Sequence, residues 1–168
     1  YGDKALYSYS RKYIKANEAP IFEIDSSFLQ YDFSKIVSKN KYVISGFQLF
    51  QKLEKLHQNN TKAYTPVVLA RLEFAKWHSG DIAPPIYLKA LEQFTNRFDG
   101  NPQKALIQYE IANFCNLIST DFMKDTYPNY KEYRKKAHTL VQQTIAEYPN
   151  SEGALKCEIL KKNIEKKT

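Results

Sequence analysis

Apolar side chains return every three or four residues along most of this chain, and Gly or Pro interrupts the pattern at regular points. That period is the signature of amphipathic helices, each hiding one face. Residues 4–15 carry Ala5, Leu6, Tyr9, Tyr13 and Ile14 at this spacing and predict an opening helix. Residues 19–29 break it: Pro20, Ile21, Phe22 and Ile24 read as extended or irregular, and Asp25-Ser26-Ser27 as the start of a short turn or helix. Phe33, Ile36 and Val37 suggest another short helix. Residues 42–58 predict a long one with Phe47, Phe50, Leu53 and Leu56 on its inner face, followed by a loop at Asn59-Asn60-Thr61. Four more helices are expected over 62–79, 84–98, 102–119 and 129–148. A last one opens at Ser151, with Leu155, Ile159, Leu160 and Ile164 facing inward.

One pattern occurs twice. Ala90, Phe94 and Pro102 have the same spacing as Ala137, Val141 and Pro149. A small residue lets two helices approach, an apolar residue one turn later seals the groove, and a proline further on ends the helix. This is the second-helix half of a tetratricopeptide-type repeat. Each copy has a partner helix upstream with its own small residue, Ala75 and Ala112. The second pair carries an insertion, 119–130. The expected fold is therefore all-α: a helical lead-in (1–61), a first repeat-like pair (62–102), a second (103–149) and a terminal helix (150–168), stacked as a short right-handed superhelix. The concave face of such a stack is the default contact site. Arg71, Trp77, Gln108 and Tyr109 are assigned to it. Tyr127, Tyr130 and Tyr133 in and after the insertion either form an exposed aromatic rim or cover the inter-helix groove as core.

Composition refines this. The 168 residues are 43% hydrophobic and 14% aromatic, enough for one core, and only five are Gly, which disfavours a turn-rich β fold. The net charge of +7 raises the question of nucleic acid. Yet only four of the 25 basic residues are Arg, and the basic residues are dispersed, so no nucleic-acid partner is expected. The net charge instead weakly favours an anionic partner. No apolar run is long enough to span a membrane. The Tyr1-Gly2 start without Met reads as an excised piece of a larger chain. Cys115 and Cys157 read as buried small hydrophobes, with a bridge between them as the alternative.

Signatures of chemistry are missing. His57, His78 and His138 have no second ligand at metal spacing, the glycines form no phosphate loop, and no serine or cysteine sits in a nucleophile motif. Neither catalysis nor a cofactor is expected. Glu92, Glu110, Glu132 and Glu147 read as solvated helix faces, with Glu132 and Lys136 at ion-pair spacing. Asn59-Asn60-Thr61 matches a glycosylation sequon and is given no role.

At Arg71-Leu-Glu-Phe74, Tyr87-Leu-Lys-Ala-Leu91, Tyr109-Glu-Ile-Ala112 and Tyr148-Pro-Asn-Ser-Glu-Gly-Ala-Leu-Lys-Cys157, with Leu160 and Ile164, the chain resembles the helical N-terminal region of bacterial alpha-2-macroglobulin-family proteins. The resemblance covers roughly residues 32–166, and its sharpest part is the last twenty residues, which hold Pro149-x-Ser151-x-Gly153-Ala154-x-x-Cys157. The resemblance implies a non-catalytic interaction or scaffold domain ahead of a protease-trapping machine, in the bacterial cell envelope or periplasm, meeting a protein partner or adjacent domains of the same chain. No thioester, bait region or β domain lies in this sequence, so trapping chemistry is not carried over. A glycan-binding helical-repeat domain assisting sugar uptake is the alternative, ahead of a basic nucleic-acid-binding module.

Overall fold

A computed structural model describes residues 14–36, 40–80, 83–120 and 129–166. Among these the chain is all-helical: α1 (Ser26–Gln30), a 3-10 turn (Phe33–Lys35), α2 (Lys41–His57), α3 (Thr61–His78), α4 (Ala83–Thr95), α5 (Lys104–Ile118), α6 (Tyr130–Glu147) and α7 (Glu152–Lys166). The expected opening helix, apart from Ile14 and Lys15, and residues 121–128 of the insertion lie outside the described residues.

The helix starts follow local chemistry. Asp25, Asp32, Asn40 and Asn60 each accept a backbone N–H from the first turn that follows, satisfying donors that a helix start leaves open. Ser151 Oγ does the same for Ala154 N at 3.2 Å. Gly100, with φ of +72°, turns the chain between α4 and α5 in the left-handed region where a side chain is strained.

Neighbouring helices run antiparallel. Phe47 meets Phe74 while Glu54 meets Arg71, so numbers rise along α2 as they fall along α3. Tyr64 with Phe94, and Lys76 with Tyr87, set the same relation for α3 and α4. His138 with Glu165 on one side, and Thr144 with Cys157 on the other, set it for α6 and α7. Helix α5 also touches α3 and α7. Between α5 and α7, Gly153 lies on the backbone of Ala105 and Leu106, and the Lys156 ammonium is 5.7 Å from the Tyr109 ring centre. Those pairs advance together, so α5 and α7 are parallel.

The small residues sit where the sequence places them. Ala75, Ala112 and Ala137 are fully buried, Ala90 nearly so, with Phe94 and Val141 beneath. The lead-in has its own aromatic core: Phe33 stacks on Phe47 at 5.3 Å, Phe28 meets both edge-on, and Phe74 closes the cluster. Gly46 makes room for it, since a Cβ there would lie 2.6 Å from Phe74 Cζ.

Two inner faces are corrected. On α2 the buried positions are Val43, Phe47 and Glu54, whereas Leu56 is 74% exposed. On α7 they are Ala154, Cys157, Leu160 and Ile164, whereas Leu155 and Ile159 are mostly exposed. The close approach at Gly153 turns α7 so that the Gly153, Cys157, Leu160 and Ile164 line meets α5 and α6. Both cysteines are free and buried, and burial pushes each thiol up to about 11.

Candidate binding groove

Three helices, α3, α5 and α7, present one side to a hollow of about 280 Å³ with Tyr87 of α4 at its edge. Pro66, Leu69 and Leu106 supply apolar wall; Glu73, Glu110, Glu152 and Lys156 supply charge.

Glu73 is the best-connected group. Its Oε1 accepts from Trp77 Nε1 at 2.9 Å and its Oε2 pairs with Lys76 Nζ at 2.7 Å. Burial and the nearby Glu73 carboxylate push the ionisation of the Tyr87 phenol far up. Lys76 lies against three rings, 4.7 Å from Tyr87, 5.3 Å from Phe114 and 5.5 Å from Trp77. On α7, Glu152 and Lys156 pair at 2.9 Å. Glu110 differs: it is half-buried and, among the described residues, no hydrogen bond or ion pair holds its carboxylate. Burial pushes its carboxyl above the ordinary value, while Lys156 pulls the other way. The expectation that Glu110 lies on a solvated face is therefore corrected.

The residues assigned to the contact face divide. Trp77 is 66% exposed and does not line the hollow, but it is bonded to Glu73, which does. Tyr109 is half-buried beside Glu110, with Lys156 over its ring. Arg71 and Gln108 are corrections, because both are buried. Arg71 is 1% exposed and pairs with Glu54 at 2.6 Å, and Gln108 Oε1 accepts from Thr144 Oγ1 at 3.3 Å between α5 and α6. Tyr130 and Tyr133 are half-buried and pack against the core from α6, which does not line the hollow. Tyr127 lies outside the described residues. The expected Glu132–Lys136 pair is also replaced, since Lys136 reaches Glu92 on α4 at 2.8 Å.

Of the charged and aromatic groups here, Glu73, Lys76, Tyr87 and Lys156 have no assigned role in the sequence, and Glu110 is assigned there only to a solvated helix face. A signal for two of them was present. The offset of 37 residues that carries Ala75 to Ala112 also carries Leu69 to Leu106 and Glu73 to Glu110, so the two carboxylates occupy matching positions on matching helices.

Among the described residues no group of His, Cys, Asp or Glu has the arrangement of a metal site, and no helix is long and apolar enough to cross a membrane. Comparison with protein-family models, curated proteins and solved structures finds no match to this chain.

Proposed function

We propose that this helical array is a non-catalytic protein-interaction domain that holds a segment of a partner, or of an adjacent domain, along α3, α5 and α7. The observation that carries this reading is the groove itself. Helices α3, α5 and α7 line one hollow with the charged side chains Glu73, Glu110, Glu152 and Lys156, and the exposed Trp77 and half-buried Tyr109 adjoin it through Glu73 and Lys156. Aromatic and charged groups around an apolar floor are the composition of protein contact sites. In this reading α3/α4 and α5/α6 are tetratricopeptide-like pairs, α7 begins a third, and the stack forms a short right-handed superhelix. The contacts of α5 with both α3 and α7 support it.

The parent protein in this proposal is a large, envelope-associated alpha-2-macroglobulin-like chain in which the array acts as a scaffold. Its support is the resemblance ending in Pro149-x-Ser151-x-Gly153-Ala154-x-x-Cys157. In that stretch the half-exposed Ser151 caps α7, Gly153 admits α5, and Ala154 and Cys157 are buried. An immunoblot of the encoding organism tests it. An envelope species far larger than 19.6 kDa is expected, and a free soluble species of 19.6 kDa contradicts the scaffold assignment.

Glycan binding is the second reading, favoured by the exposed Trp77 ring, which is suited to stacking on a sugar. Trp77 is the only tryptophan, so its fluorescence reports the site directly. Quenching by oligosaccharides would support this reading, and an unchanged spectrum would remove it.

A further inference from the structure

The charge of the groove opposes that of the chain. Against a net charge of +7, the hollow holds three carboxylates, Glu73, Glu110 and Glu152, and two ammonium groups that bear on it, Lys76 and Lys156. Both lysines are neutralised by a carboxylate less than 3 Å away, Lys76 by Glu73 and Lys156 by Glu152. Glu110 is left over, half-buried between apolar walls. An anion entering here would meet two cations already satisfied and one carboxylate that repels it. A cation would meet the unsatisfied group. This reverses, for the groove, the anionic preference that net charge alone suggests.

Size and wall chemistry narrow the cation. About 280 Å³ is below the roughly 300–1,000 Å³ usual for pockets that enclose drug-sized ligands, and it suits one long side chain. Pro66, Leu69 and Leu106 offer apolar surface for a run of methylenes, leaving the charged head at the carboxylates, as long basic side chains do at boundaries between apolar and polar surface. Tyr87 closes the hollow beside the carboxylates, its buried ring already covered by Lys76 at 4.7 Å, so the charged groups rather than a free ring face receive the head.

We infer that this cleft receives a single arginine or lysine side chain from the bound segment, its stem along Leu69 and Leu106 and its cationic head at Glu110. The inference rests on the groove being the binding face, and it adds the ligand class. Burial of Glu110 with no hydrogen-bond or ion-pair partner among the described residues works against its ionised form, and an incoming cation supplies one. Glu73, held by Trp77 and Lys76, is the neighbouring carboxylate that keeps the local field negative.

The test uses the whole chain and four small probes: N-acetylarginine amide, N-acetyllysine amide, and their neutral counterparts N-acetylcitrulline amide and N-acetylnorleucine amide. Binding is followed by the amide and side-chain NMR shifts of Glu110 and Tyr109. The cationic probes should saturate these shifts at concentrations at least tenfold lower than the neutral ones. Glu110→Gln should bring the two classes within about twofold. Lys156→Met removes an opposing cation and should tighten the cationic probes severalfold, a gain that misfolding does not produce. Equal response to arginine and citrulline amides overturns the inference. So does a native partner that is lost with Tyr109→Ala and unaffected by Glu110→Gln, an outcome that leaves the groove reading standing. A native partner indifferent to Tyr109→Ala, Trp77→Ala and Glu110→Gln alike sinks the groove reading and this inference with it.

Discussion

Arg71 on α3 and Glu54 on α2 form a buried ion pair at 2.6 Å with both side chains almost wholly removed from water. The guanidinium spends its other donors on the carbonyls of Ile21 and Glu23 and lies 4.0 Å from the Phe28 ring centre. One side chain thus joins the irregular lead-in to two helices. Desolvation is the largest influence on each partner, raising the Glu54 carboxyl and lowering the Arg71 guanidinium. The pair therefore positions the lead-in more than it stabilises the core.

Arg71→Ala should destabilise the protein by about 3–5 kcal/mol, because it strands a buried carboxylate. Arg71→Met with Glu54→Leu should recover most of that loss, since no charge is left buried. Urea unfolding of the two variants decides it. A double variant as unstable as Arg71→Ala would show that the lost carbonyl bonds, not the stranded charge, dominate.

Gly153 is the closest approach of α7 to α5: a methyl there runs into the backbone of Ala105 and Leu106, with no flexible side chain to move aside. Gly153→Ala should therefore destabilise the protein by about 1–3 kcal/mol or more, although alanine is the better helix former. Gly46→Ala meets only the end of the Phe74 ring and should be milder. Thermal unfolding of both ranks them, and equal midpoints would refute the close packing of α5 and α7.

The register of α7 is tested by Leu160→Ala against Ile159→Ala. Leu160 is 6% exposed and Ile159 is 64% exposed. The first should cost about 2–5 kcal/mol and the second well under 1 kcal/mol. Similar losses would place Ile159 in the core instead.

Glu110 predicts a pH dependence whose sign is fixed. Its carboxyl is raised above the ordinary 4.5, first by burial and then by Glu73, with Lys156 and Lys76 opposing. The folded state thus favours the protonated form. That contribution is complete below the unfolded-state value and is lost as pH climbs through the folded one. Glu110→Gln keeps the shape and cannot ionise, so it should be more stable than the parent at pH 7, with the difference vanishing near pH 4. Chemical denaturation of both proteins across that range measures it. A less stable Glu110→Gln at pH 7 would mean that Glu110 has a partner in the free protein.

Helix placement was legible because periodicity and punctuation agree: the ends of α3, α5 and α6 fall within two residues of those that Gly, Pro and the apolar period predict. Orientation was less legible. Arg71, assigned by the sequence to the concave face, lies in line with Val68 and Ala75, on the buried stripe of α3, where arginine is seldom found. Glu54 falls seven residues after Phe47, two turns along the buried face of α2, and it is the only acidic residue on that helix. Pairing them requires knowing which helices touch. The exposure of Leu155 and Ile159 has the same origin, since the rotation of α7 is set by where Gly153 meets α5. Tyr109 and Trp77 stand out in the sequence as aromatics, whereas Glu110 reads there as solvated, because the hollow it shares is formed with Leu69 of α3, Tyr87 of α4 and Glu152 of α7, far apart in sequence.

The groove is tested most directly by replacing Tyr109, and separately Tyr133, with a photo-crosslinking amino acid in the native protein and irradiating cells of the encoding organism. Position 109 lies on α5 next to Glu110, its ring 5.7 Å from the ammonium of the groove residue Lys156, and position 133 lies on α6 away from the groove. The account predicts a discrete adduct of higher mass, or a defined intramolecular crosslink to an adjacent domain, from position 109 and not from 133. An adduct from 133 with none from 109 would contradict it.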